Sequence, residues 1–310
     1  MSFTTTIFPI LAALITPEGE FFKTPNRWKP INHQQEYFVA KLYDKKAELS
    51  LFSPEELRNW VSFDYQFLNK TARDNGFSIE FQPFGDREFG VLSILDVSVT
   101  WLEKGTEATI YYQDEAYKGV CLKKGFEAFT TGQHPHPILK VTTKSCDVLY
   151  LTKATEALHD FELLEKVNQL NNTLSDGFHR TASCQRVPVD IITFPKVSVN
   201  QTVDISWLTK MSCPDIKLPY PTFWWEITQA YQQTKFAMHE EGARVESAVM
   251  ISFALCGCAT FEPEPVIITI DEPFYVWIMR PGCSIPVFTG YIDVSDWARQ
   301  RENYLFHEFN

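Results

Sequence analysis

Ile268-Thr269-Ile270-Asp271-Glu272-Pro273-Phe274-Tyr275-Val276-Trp277-Ile278, followed by Ile285-Pro286-Val287-Phe288-Thr289-Gly290-Tyr291-Ile292, closes the chain with two β-branched and aromatic runs broken by Pro and Gly. Such runs fit the pleated, half-buried surface of a sheet. Upstream stands Gln233-Thr234-Lys235-Phe236-Ala237-Met238-His239-Glu240-Glu241-Gly242-Ala243, another strand pattern that ends in two acids and a glycine. From Gln233 to the C-terminus the chain is nearly all strand patterns with turns between.

Working back from there, Val187-Pro188-Val189-Asp190-Ile191-Ile192-Thr193-Phe194-Pro195-Lys196-Val197 reads as strand, with its prolines at edge or bend positions. Asp147-Val148-Leu149-Tyr150-Leu151 is a short apolar run, as in a central buried strand. A helix follows it, with Leu158, Phe161, Leu164, Val167 and Leu170 on one face. Gly90 to Trp101, Ala108 to Tyr112 and Lys140 to Thr143 are further strands, and Phe77 to Phe84 alternates like one. Ser53-Pro54-Glu55-Glu56-Leu57 has the cap, proline and acids of a helix start, so a helix is expected through about Asn75. Ile7 to Ile15 is read as a buried strand or helix, because no Lys or Arg precedes it and no cleavage site follows.

Composition narrows the function classes. The 310 residues include 28 Lys and Arg against 39 Asp and Glu, a net charge of −11, which argues against nucleic-acid binding and against docking on anionic lipid. No stretch approaches the ~20 apolar residues that span a bilayer. The 25 Phe, 12 Tyr and 8 Trp suit a large β-rich core. Seven irregularly spaced cysteines do not form a disulfide framework; a reducing, cytoplasmic location is expected, with secretion left open. Glycosylation sequons start at Asn69, Asn171 and Asn200. His134-Pro135-His136 reads as a solvated Pro-kinked turn rather than a metal pair, and Trp224-Trp225 as core packing rather than a partner patch. Cys256-Gly257-Cys258 lacks the second Cys pair that a metal site would need. No nucleophile elbow or phosphate loop is present, so an enzyme is the least expected class and no cofactor or metal is implied.

Four segments in order resemble the C-terminal part of a serpin. Asp147 to Leu170 is similar to the family's buried strand leading into a helix, with Thr152 where Pro is usual. Phe194-Pro195-Lys196-Val197, then Val203-Asp204-Ile205, Leu208 and Met211, is similar to its Pro-Lys-Phe strand and helix start. Gln233 to Ala243 resembles the strand and Glu-Glu-Gly hinge that launch the reactive loop. Ile268 to Ile278 follows the C-terminal signature, with Glu272 at the one departure. Asp96 to Trp101 echoes the family's core strand.

The resemblance implies one α+β serpin-like domain over 1–310: a large, mostly antiparallel sheet with additional sheets and packed helices. It covers 93–310, with loop 242–265, and leaves 1–92 as a poorly matched, remodelled portion. It also implies a reactive-loop hinge at Glu240, Glu241, Gly242, Ala243 and Val245, and a scissile bond near Cys256-Gly257. A serpin inhibitor is a spring: a protease cuts the loop, which then inserts as a new strand. Ala243, Val245, Ser247, Val249, Ile251, Phe253 and Leu255 would form one face of that strand, small or apolar throughout. Val245 and Glu246 interrupt the small residues of an inhibitory hinge and stiffen it. The expected function is therefore non-catalytic engagement of a protein partner through the scaffold and loop. The alternative is suicide inhibition of a serine or cysteine protease. Neither the partner nor the oligomeric state is readable from the sequence.

Overall fold

A computed structural model describes residues 1–22, 27–177, 184–214, 224–243 and 265–300. Its largest sheet has seven strands. In spatial order they are β1 (Phe3–Thr5), β19 (Phe288–Ile292), β18 (Phe274–Met279), β9 (Val148–Lys153), β8 (His134–Thr142), β7 (Phe126–Thr131) and β10 (Cys184–Val187), each pair antiparallel. The two stretches that open the sequence reading are thus the hydrogen-bonded neighbours β18 and β19, in register from Phe274↔Ile292 to Ile278↔Phe288. β18 is buried on both faces: Phe274, Val276 and Ile278 join the main core, and Tyr275 and Trp277 pack under helix α4 (Asp160–Gly177). That helix presents Leu163, Val167 and Leu170 to the sheet.

A second sheet has the order β17 (Ile267–Thr269), β11 (Ile191–Pro195), β6 (Glu115–Leu122) and β5 (Thr106–Tyr112). Three smaller pairs complete one flank: β2 (Leu57–Ser62) with β3 (Gly90–Leu95), β12 (Val197–Val203) with β15 (Gln232–Met238), and β4 (Val99–Thr100) with β16 (Gly242–Ala243). A further short pair, β13 (Ser212–Pro214) and β14 (Trp224–Glu226), lies near the five-residue helix α2 (His33–Tyr37), whose Gln35 amide donates to Trp207 O and Thr209 O. Helix α1 (Phe8–Pro17) and helix α3 (Tyr65–Asp74) pack against opposite faces of β3. Leu92 and Ile94 meet Leu68 and Ala72 of α3, while the alternate Leu95 joins the core that holds α1.

Several sequence expectations change here. The open choice at Ile7–Ile15 resolves as helix α1. The expected helix from Ser53 stops after one turn. Ser53 and Glu56 exchange reciprocal cap bonds, Ser53 N–H to Glu56 Oε2 at 3.0 Å and Glu56 N–H to Ser53 Oγ at 3.3 Å. Leu57–Ser62 then becomes β2, because pairing with β3 outweighs the local propensity, and Asp64 caps the true helix α3. Phe77 to Phe84 forms no strand and joins no ladder. His134-Pro135-His136 is not a solvated turn: it lies on β8, with His134 buried and bonded through Nε2 to Lys153 O at 3.0 Å. Burial pushes the His134 imidazole below its ordinary pKa. Asn69 is buried and exchanges two bonds with the Phe81 backbone, which removes it as a glycosylation acceptor. Of Trp224-Trp225, the second packs on Phe22 and Phe89 as core, but Trp224 is exposed beneath the Lys29 ammonium, 4.0 Å from the ring centroid.

Candidate functional site: the loop hinge and the split sheet

β15 ends in a tight turn, His239 to Gly242, in which His239 N–H donates to Gly242 O at 2.9 Å. The turn reverses the chain. Gly242 and Ala243 then pair antiparallel with β4, Gly242↔Thr100 and Ala243↔Val99. A side chain at position 242 does not fit: a Cβ there would stand 2.1 Å from Val99 O and 2.8 Å from Thr100 Cα. Ala243 is buried.

The tips of the turn are held by main-chain bonds. Trp101 N–H donates to Glu241 O at 2.9 Å, Gly105 N–H to Glu240 O at 2.7 Å, and the buried Trp101 indole N–H to His239 O at 2.8 Å. The acid side chains are held by lysines. Lys104 Nζ lies 2.6 Å from Glu241 Oε1. Lys196 Nζ bonds Glu240 directly and Glu107 at 3.0 Å. Burial pushes the Glu240 carboxyl up, but the bond and charge of Lys196 together with the remaining hydrogen bonds outweigh it and hold the group below its ordinary value. The same partners hold the Lys196 ammonium above its ordinary value against burial. The bond from Lys104 holds the exposed Glu241 carboxyl down.

Beside this turn stand two separate two-stranded pairs. β3 pairs with β2, and β15 with β12; among the described residues neither has a ladder partner on its other edge. Between them opens a cavity of about 1390 Å³, lined by β3, β15, α1 and the stretch after α3, with Phe81, Phe84, Phe89 and Phe236 among its apolar walls. Ala243, paired antiparallel on β4, is itself part of this cavity's lining.

A strap crosses it. Residues 76–84 are tethered to β15 and the turn before it: Ser78 N–H donates to Gln233 Oε1 at 2.7 Å and Gln82 N–H to Gln229 Oε1 at 2.8 Å. Lys235 Nζ bonds Gly76 O, and Phe81 meets Tyr231 edge-on at 6.2 Å. On the far side, buried Gln232 donates to Thr6 O at 3.0 Å and Thr6 Oγ1 at 2.6 Å, which ties β15 to the entry of α1.

Of the residues expected from sequence, Glu240, Glu241, Gly242 and Ala243 come together at this turn. Val245, Cys256 and Gly257 lie outside the described residues. Lys196 and Trp101 were quoted only for the pattern they complete, and their hinge contacts come from partners far away in sequence. Lys104 and Gln229 carry no motif at all, and Gln233 belongs to one only as the first residue of its strand pattern.

No protein-family model matches the chain, and no curated protein sequence does. Solved structures do match. Serpin48 of the insect Tenebrio molitor is 12% identical with a TM-score of 0.53, covering 94% of this chain and 91% of its own. Human glycosylated kallistatin is 11% identical with a TM-score of 0.57, covering 97% and 92%. Human thyroxine-binding globulin is 12% identical with a TM-score of 0.53, covering 94% and 91%. These neighbours are serpins, and the large antiparallel sheet with its additional sheets and few helices agrees with them. The chain therefore has a serpin-like fold, strongly divergent in sequence.

Proposed function

We propose that this chain, 1–310 acting as a single domain, is a non-catalytic protein that engages a protein partner through the segment launched at Gly242-Ala243, without using loop insertion as a driving spring. The observation that carries the reading is the seated hinge. Ala243 is already paired on β4, and the turn before it is fastened by Trp101, Gly105, Lys104 and Lys196. A hinge that must snap into a sheet needs small, mobile residues. Here Val245 and Glu246 follow, a branched and a charged side chain.

A second reading, suicide inhibition of a serine or cysteine protease, is favoured by the edges of β3 and β15 that have no ladder partner among the described residues and could accept a strand. In it, the protease nucleophile attacks the carbonyl of Cys256, the amine of Gly257 leaves, and an ester or thioester to Cys256 remains.

The two readings separate on incubation with a panel of serine and cysteine proteases followed by denaturing electrophoresis. The proposed function predicts cleavage or no reaction. A covalent complex that survives denaturation would replace it with the inhibitor reading.

A further inference from the structure

After β19 the chain turns at Val294–Asp296 and runs Trp297 to Gln300 into the junction between β6 and the start of β12. Three peptide groups close a ring there. Lys118 N–H donates to Ala298 O at 2.7 Å, Ala298 N–H to Lys196 O at 2.9 Å, and Lys196 N–H to Lys118 O at 2.9 Å. Gln300 N–H adds a bond to Ala116 O at 3.2 Å. Trp297 anchors the segment: it is buried, with ring centroids 5.3 Å from Tyr117 and 6.1 Å from Tyr112, both edge-on. Lys196 therefore has both its backbone groups engaged, one of them by the C-terminal segment. The same residue sends its ammonium to Glu240 at the hinge.

We propose that Trp297–Gln300 is a positioning element for the hinge. By fixing the Lys196 backbone it keeps the ammonium on Glu240, and withdrawing the segment loosens the turn His239–Gly242. Its bearing on partner engagement rests on the function proposed above; the positioning itself does not. A long lysine side chain holds a fixed contact only if its backbone is fixed, because its free rotamers otherwise dilute the bond. Release need not open the core, since local units open at their own free energies.

Hydrogen exchange on the intact, uncut chain without any partner tests this, and so fails or succeeds independently of the protease panel. Ala298→Pro deletes the N–H that Lys196 O accepts. Trp297, at φ −78° and ψ 141°, already has the conformation that a residue before proline adopts. The amides of Trp101 and Gly105, which bond the turn, are expected to exchange about fivefold faster or more. The central-strand amides of Leu149 and Val276 are expected to hold. Lys196→Met should loosen the same two amides. Trp297→Phe, the milder variant, should move them the same way by less. Arg299→Ala, at an exposed ion pair with Glu115, should leave them unchanged. Hinge amides unmoved by both Ala298→Pro and Trp297→Phe, but loosened by Lys196→Met, would mean that Lys196 holds the hinge without the segment. A uniform rise that includes Leu149 and Val276 would mean general support. Either result overturns the proposal.

Discussion

Gly242 sits where two backbones approach so closely that any Cβ collides with Val99 O. Gly242→Ala is expected to unseat β16 from β4: the Trp101 amide should lose protection from exchange, and the melting temperature should fall. Arg280 is a different kind of single-residue control. Its guanidinium bonds both oxygens of buried Asp147, at 3.0 and 2.9 Å, and both oxygens of Glu56, at 2.9 and 2.6 Å. Those bonds hold the Arg280 guanidinium above its ordinary value. Arg280→Met leaves Asp147 buried and uncompensated, a loss of about 3–5 kcal/mol, read by denaturant unfolding. The acids give a pH dependence. The Arg280 bond holds the Glu56 carboxyl below its ordinary 4.5; at Glu240 burial pushes the other way, and the bond and charge of Lys196 with the remaining hydrogen bonds together hold the group down. For a carboxyl with a depressed folded pKa, the stabilisation is complete above the ordinary value and disappears as the pH falls through the folded one. Stability should therefore be level above about 4.5 as far as these two groups are concerned, and decline below it. In Lys196→Met the Glu240 share of that decline should vanish, as measured by melting across pH.

At the scale of elements, what was legible depended on whether the deciding contacts were local. β9 and β18 are continuous apolar runs, and α4 carries its apolar stripe, so pattern alone finds them. Ser53-Pro54-Glu55-Glu56 does cap a turn, but the six residues after it are claimed by β3, a partner distant in sequence. His134-Pro135-His136 looked like a turn because Pro punctuates it, yet it opens β8: His134 pairs with Thr131 of β7, and β9 joins the same strand from Leu139. Glu240-Glu241-Gly242 was readable as the end of a strand pattern, whereas its restraints from Trp101, Lys104 and Lys196 exist only once segments distant in sequence meet. The strap is similarly invisible: Phe77 to Phe84 alternates like a strand but is held by two glutamine side chains instead of a ladder. Replacing both, Gln229→Ala with Gln233→Ala, is expected to free the Ser78 and Gln82 amides to exchange. Phe81, fixed by Asn69, should remain protected.

For the whole molecule, the cavity between β3 and β15 is the feature on which the proposed function turns. The seven-stranded sheet, with β18 buried on both faces, is a rigid base. The β2–β3 and β12–β15 pairs face each other across a cavity large enough to matter energetically, because open strand edges and apolar walls both gain by being covered. A spring would close that gap after the loop is cut; a partner-binding scaffold with a fastened hinge would not. The decisive measurement is limited proteolysis between Gly242 and Pro265, followed by thermal melting of cut and uncut protein side by side. The account predicts that cutting leaves the melting temperature unchanged or lower. A large rise after cutting would mean that the loop inserts between β3 and β15 and that the native fold stores the energy of a spring, which contradicts it.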